Sequence, residues 1–228
     1  MCGRYFLTSP LAEIMALFGV DQRLNLAARY NIAPTQDIPI VISDPNGTVR
    51  LTSARWGLVP PWADGPAATP LHNARGESVA AKPAFREAFS YRRCLIPANG
   101  FFDWQGAGAA KQPYRFSLVD GGLFSFGGIY SPWRRHDGTV VQTCAIVTTE
   151  ANDTVRPICH RMPVMVGTED HTGWLGSNRT AGQVIRPFPL ASMTAVPVSR
   201  RVGDVRQDDS DLIEPVNPKE EESQLTLL

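Results

Sequence analysis

The chain has 228 residues, 43% of them apolar and 19% charged, with a formal net charge of +0. This balance excludes a disordered chain and a generally basic nucleic-acid binder. No apolar run approaches the ~18 residues of a membrane span, so no membrane partner is expected. The length fits one large domain better than two small ones.

The start, Met1-Cys2-Gly3-Arg4-Tyr5-Phe6, lacks a long apolar stretch after its charge, so no secretory signal is expected. Cysteines at 2, 94, 144 and 159 show neither paired nor dense spacing. That argues against a metal site or a disulfide framework and for a reducing cytoplasm. Charge is unevenly placed. Residues 204–228 hold eight acidic and two basic side chains, leaving 14 acidic and 20 basic in residues 1–203. Among the bases 19 are Arg and three are Lys. Arg suits phosphate and flat rings, although a GC-rich genome produces the same excess.

In chain order, Ser9-Pro10 followed by Leu11, Ile14, Met15 and Phe18 predicts a short amphipathic helix, capped by Ser9 and ended by Gly19. Ile38–Ile42 and Val49–Trp56 read as strands around an Asp44-Pro45-Asn46-Gly47 turn. Residues 57–72 are rich in Gly, Pro and Ala and read as an irregular loop. A short helix is predicted over Pro83–Phe89. Strands follow at Cys94–Ile96, Phe101–Trp104, Tyr114–Val119, Leu123–Tyr130 and Val140–Thr148, with hairpin-type breaks at Gly106–Ala110 and Asp120–Gly122. Pro163–Val166 predicts another strand. Thr168–Leu175, with Thr168 as cap, and Thr180–Arg186 predict helices, and Val196–Ser199 a last strand. Residues 217–228 read as an acidic tail after a domain spanning 1–216. Many short strands with few helices predict an α+β domain on a mostly antiparallel, curved, barrel-like sheet with short flanking helices. Trp56 and Trp104 lie in strand-like runs and are assigned to packing. His72, His136 and His171 have no partner spacing and read as ordinary histidines.

The second residue carries the most chemistry. Removal of Met1 would leave Cys2 with an α-amine and a thiol on adjacent carbons. Their reference pKa values, about 7.7–8.0 and about 8.5, make both partly available near neutral pH. With an aldehyde this pair forms a Schiff base and then a thiazolidine ring; with an ester or amide the thiol is an acyl acceptor. If Met1 is retained, the amine is tied up and ring closure is blocked.

Further motifs follow Cys2: Arg29-Tyr30-Asn31-Ile32-Ala33-Pro34-Thr35, Arg55-Trp56-Gly57-Leu58-Val59-Pro60, Asn73-Ala74-Arg75-Gly76-Glu77-Ser78, Asn99-Gly100-Phe101-Phe102-Asp103-Trp104, Ile158-Cys159-His160-Arg161-Met162-Pro163 and Pro197-Val198-Ser199-Arg200-Arg201-Val202. Together they resemble the SOS-response-associated peptidase family, whose members shield abasic sites in single-stranded DNA. The resemblance runs from Cys2 to about Val216. It implies a single α+β domain with a positive groove, capture of the abasic aldehyde by the terminal Cys, and self-removal of the initiator Met. By the matching motifs Cys2 would be the nucleophile, Asn73 would hold the sugar, and Asp103 would transfer protons where the family has Glu. Arg4, Asn31, Pro34, Trp62, Arg75 and Arg161 fall on or near DNA-contacting positions. The implied partner is single-stranded DNA containing abasic sites, bound by a monomer without a cofactor, in the cytoplasm at the nucleoid.

This chain departs from that pattern twice. Asp103 is one methylene shorter than the family Glu, and a displacement on the order of 1 Å costs as much as ~100-fold when positioning is critical. Cys159 stands where the family has its catalytic His, and His160 where it has Asp. Either Cys159 faces the site or the backbone slips to bring His160 in. A thiol is a poorer proton shuttle than imidazole at neutral pH, so capture with slowed reversal is expected. Two other readings share these residues: an N-terminal-nucleophile cysteine hydrolase acting on other proteins, and a non-covalent DNA-binding module.

Overall fold

Pairing of the long apolar strands closes the main body of the molecule. The computed structural model describes residues 2–22, 24–44, 46–67, 69–108, 111–176 and 178–218. The first third holds β1 (Arg4–Leu7), α1 (Leu11–Phe18), β2 (Arg29–Ile32), β3 (Asp37–Ser43), β4 (Val49–Trp56), β5 (Asn73–Arg75) and α2 (Gly76–Val79). The middle holds α3 (Arg86–Tyr91), β6 (Arg93–Ala98), β7 (Gly100–Gln105), β8 (Gln112–Leu118), β9 (Phe124–Arg134) and β10 (Val140–Glu150). The last third holds β11 (Arg161–Pro163), β12 (Met165–Val166), α4 (His171–Leu175), α5 (Asn178–Val184) and β13 (Met193–Pro197).

Strands β4, β3, β6, β9 and β10 form a closed ring. Its β4–β10 seam is parallel, with Thr143 opposite Arg55 and Cys144 opposite Trp56, and the other seams are antiparallel. Closure removes the open edges that an exposed sheet would leave. β5 pairs in parallel with β10 at Ile146–Thr148, on the same edge as β4, so residues 57–72 are an excursion from that edge. A second, antiparallel sheet runs β13-β8-β7-β1-β2. The predicted α+β, barrel-like domain is therefore present.

Large aromatic side chains join the two sheets. Tyr5 of β1 lies edge-on to Trp56 at 5.4 Å and to Phe126 at 5.8 Å. Phe101 stacks on Phe116 at 4.9 Å. Trp174 of α4 is buried and donates its indole N–H to the Cys94 carbonyl at 2.9 Å. Gly127 lets that ring approach: a Cβ there would sit 2.7 Å from it. Trp56 is fully buried in the main core. Half-buried Trp104 joins a smaller cluster of Phe6, Phe102, Val198, Val202 and Leu212.

Local signals mislead at several places. Ser9 does not cap α1; Pro10 occupies the cap position, and the Ser9 hydroxyl accepts from Asn99 instead. Gly19 ends the helix in the left-handed conformation, φ 63°, as expected. Thr168 does not act as a side-chain cap; it opens a 3-10 turn, Thr168–Asp170, that leads into α4. Asp120–Gly122 is not a hairpin turn, because β8 pairs with β7 and β13 whereas β9 belongs to the ring. The Pro163–Val166 strand splits at Val164, whose N–H goes to Val147 while its carbonyl accepts from Gly127. Pro45, Ala109, Ala110 and the tail from Lys219 onward lie outside the described residues.

Candidate functional site

The site forms where the second sheet meets the ring. β1 pairs with β7 in the register Arg4–Phe102, which carries Cys2 towards the end of β7 that bears Asp103. β5 places Asn73 opposite Ile146 on the ring. The Gln105 side chain donates to the Pro157 carbonyl at 3.3 Å, tying the end of β7 to the segment bearing Cys159.

Cys2 is only 1% exposed. Its carbonyl accepts from the Asn73 amide N–H at 2.7 Å, and its thiol faces the Arg4 carbonyl at 3.7 Å. The Asn73 Oδ1 atom is buried with no hydrogen-bond partner among the described residues. Asp103 is 8% exposed; its Oδ1 accepts from the Trp104 N–H at 2.9 Å, and its carboxylate acts on the thiols of Cys2 and Cys159. Cys2, Asn73, Asp103 and Cys159 thus come together, and Cys159 is the member of its pair that faces the site. His160 is exposed. It does not join the cluster, because its neighbour already presents a side chain there and consecutive residues of an open segment point apart.

Burial pushes the Cys2 thiol far above its ordinary value of 9.0, and the Asp103 carboxylate adds to that. Cys159 is raised too, first by burial and further by the Asp103 carboxylate. Both thiols therefore carry their protons at neutral pH. Cys94 and Cys144 are raised by burial as well. A group whose folded pKa exceeds its unfolded one adds stability that is whole below the unfolded value and is lost as pH rises above it. The melting temperature is therefore expected to fall steadily above pH 9.0. Thermal unfolding across the alkaline range checks this, and a flat profile there would contradict the burial of the thiols.

Arg4 and Asn31 work inward. Asn31 is 0% exposed; its amide donates to the carbonyls of Val202, Asp204 and Gln207, and its Oδ1 accepts from Arg4 at 2.8 Å. Arg4 also donates to the Val202 and Gly203 carbonyls and lies over Trp104, 6.0 Å from the ring centroid. Arg29 pairs with Asp208, whose other oxygen accepts from the Tyr30 and Asn31 N–H groups. These bonds pin residues 202–208 across β1 and β2. Asn31→Ala strands several buried carbonyls at ~1–3 kcal/mol each. It is expected to destabilise the fold by about 3 kcal/mol in urea denaturation.

Other predicted contacts face outward. Trp62 is 68% exposed. The Trp133 indole N–H holds its loop through the Ala63 carbonyl at 2.9 Å. Pro34 is half-buried beside exposed Thr35, which has a φ of 75°. Arg75 is exposed and makes no ion pair among the described residues. Arg161 forms a two-pronged pair with Glu77 at 2.7 and 3.0 Å and also donates to Thr148. Sequence reasoning missed Glu77 and Trp133. The first lies inside a quoted motif as the only acid near Arg75; the second has no local signal.

The family model described as SOS response associated peptidase (SRAP) matches residues 1–205. Abasic site processing protein YoaM of Bacillus subtilis is 35% identical over 226 residues, covering 95% of this chain and 99% of that protein. Abasic site processing protein YedK of Escherichia coli is 29% identical over 228 residues, covering 95% and 100%. HMCES of Gallus gallus, also named an abasic site processing protein, is 29% identical over 230 residues, covering 84% and 68%. A crystal structure of a protein from Bacteroides thetaiotaomicron superposes with a TM-score of 0.83 at 24% identity, over 95% of this chain and all of that one.

Proposed function

Because the chain belongs to the SOS-response-associated peptidase family, we propose that it captures abasic sites in single-stranded DNA covalently through Cys2 once Met1 is removed. The observation that carries this reading is the clasp of the Cys2 carbonyl by Asn73, against the Asp103–Cys159 pair. The names of the relatives, abasic site processing proteins, support the substrate class.

The Cys2 amine attacks C1′ of the ring-opened sugar. Asp103 relays the protons that let the aldehyde oxygen leave as water, which gives a Schiff base. The thiol then adds to the same carbon, and its proton ends on nitrogen. The sum is aldehyde plus aminothiol giving thiazolidine plus water. A thiol held protonated by burial and by Asp103 is a poor first nucleophile. This orders amine attack before ring closure and disfavours the hydrolase reading. Buried Asn73 Oδ1 is free to accept from the sugar hydroxyl or the ring N–H. Outside the cluster, Arg75 takes a flanking phosphate, and Trp62 and Pro34 stack on bases. Arg161 reaches a phosphate only alongside its bond to Glu77. Removal of Met1 by the chain itself belongs to the same proposal.

Intact mass before and after incubation with an abasic oligonucleotide tests this. The expected result is loss of Met1 followed by a species heavier by the oligonucleotide minus one water. Binding without a conjugate would leave a non-covalent module, and turnover of an unrelated peptide would favour the hydrolase. The exchange Cys159→His replaces a thiol raised by burial with a group that titrates near neutrality. Release of a preformed crosslink, followed by gel at neutral pH, is expected to quicken about 100-fold, at the low end of general acid–base effects.

A further inference from the structure

We propose that the hollow beneath the 57–72 loop is a binding site for one unstacked nucleobase, the neighbour of the captured sugar. This rests on the reading above, because it needs a strand laid across Asn73. The hollow holds about 200 Å³ and is lined by Leu58, Pro70, Leu71 and the Trp133 ring, with Thr35 beside Pro34 on its wall. Ligand pockets usually measure roughly 300–1,000 Å³, so this one suits a single flat ring system.

Its position follows from the strand register. Leu71 lines the hollow and bridges to Leu58, and Asn73 stands two residues further on. Two residues of near-extended chain span about 7 Å, a spacing suited to adjacent nucleotides of an extended strand. The intervening His72 carbonyl is held by both the Trp56 indole and the Ile146 N–H, so hollow and lesion site keep a constant separation.

Charge complementarity names the occupant. Arg55 and Arg135 line the same hollow, and neither makes an ion pair among the described residues. Arg135 only feels the Asp137 carboxylate through space. An apolar, tryptophan-walled recess with two available guanidiniums fits a stacked base with its own phosphates. The Thr143 hydroxyl, the buried polar group of the wall, is already committed to Val59 and Ser131. Recognition is therefore by stacking and tolerates any base.

The test uses the full chain and single strands carrying tetrahydrofuran, an abasic analogue that cannot be captured, with affinity read by fluorescence anisotropy. In one series the base next to the analogue is also deleted, on either side in turn. Deletion on one side is expected to weaken the parent about 10-fold. The same deletion is expected to cost Trp133→Leu nothing further, because the ring that met the base is gone. Trp133→Phe keeps a ring but loses the bond to Ala63, and is expected to retain the response to base deletion. Arg135→Gln is expected to weaken binding and flatten its salt dependence. Equal affinity with and without the neighbouring base, in a parent that captures true abasic DNA, overturns this site and leaves the proposed function standing. Additive losses in Trp133→Leu overturn it as well. A parent that neither binds nor captures lesion strands overturns both.

Discussion

Cys2→Ala is expected to abolish the heat-stable conjugate with abasic single-stranded DNA while leaving one that forms only when borohydride is present. In a chain already freed of Met1, the exchange removes the thiol and keeps the terminal amine, so the first step survives and the second does not. A Schiff base hydrolyses on heating unless reduced; a thiazolidine carries two bonds from the protein to one carbon and persists. The expected loss is at least 100-fold, since a covalent nucleophile has no substitute in the cluster. Cys159 does not replace it, because its thiol is raised by burial and by the Asp103 carboxylate. The fold should tolerate the change. Cys2 is buried, and the missing sulfur removes about 1 kcal/mol of burial. Gel analysis with and without reduction, beside a thermal melt, reads all three outcomes. A heat-stable conjugate that persists in Cys2→Ala would place the chemistry on another residue.

The long apolar strands were legible in the sequence because burial on both faces of a closed ring demands runs such as Ile38–Ile42 and Val140–Thr148. The short strands were not. β1, β2 and β5 contain Arg, Asn and Tyr, and they are strands because of the neighbours they pair with. Partner choice was equally hidden: Asp120–Gly122 has the composition of a hairpin turn, yet the chain leaves one sheet there and joins another. The site divides in the same way. Cys2 announces itself by its position, but its meeting with Asn73 and Asp103 depends on the register of three strands far apart in sequence. Arg4 and Asn31 show a further limit. The donor geometry that suits phosphate oxygens suits backbone carbonyls equally well, and here it is spent on residues 202–207. Trp133 acts through one bond to a loop carbonyl, a role that no local pattern encodes.

The two departures from the family pattern meet in space, and that meeting sets the second large expectation. The Asp103 carboxylate raises the Cys159 thiol, so a carboxylate shorter than Glu and a thiol in place of His act on each other. Asp103→Asn preserves the size of the side chain and the oxygen that accepts from Trp104, but removes the charge and the capacity to relay a proton. Capture is expected to slow by about 10²–10⁴-fold, the range of positioned general acid–base groups. A purely structural role would not move a second readout. With the carboxylate neutralised, one cause that raises both thiols disappears, so Cys2 and Cys159 should react faster with iodoacetamide at a given pH. Asp103→Glu separates reach from charge. Alone it pushes a longer carboxylate against Cys159 and should slow capture; combined with Cys159→His it should recover at least the parent rate. Such coupling is the mark of two residues acting together. Additive effects in the double variant, or unchanged alkylation in Asp103→Asn, would mean that the pair acts independently and that Asp103 serves only to hold the Trp104 backbone.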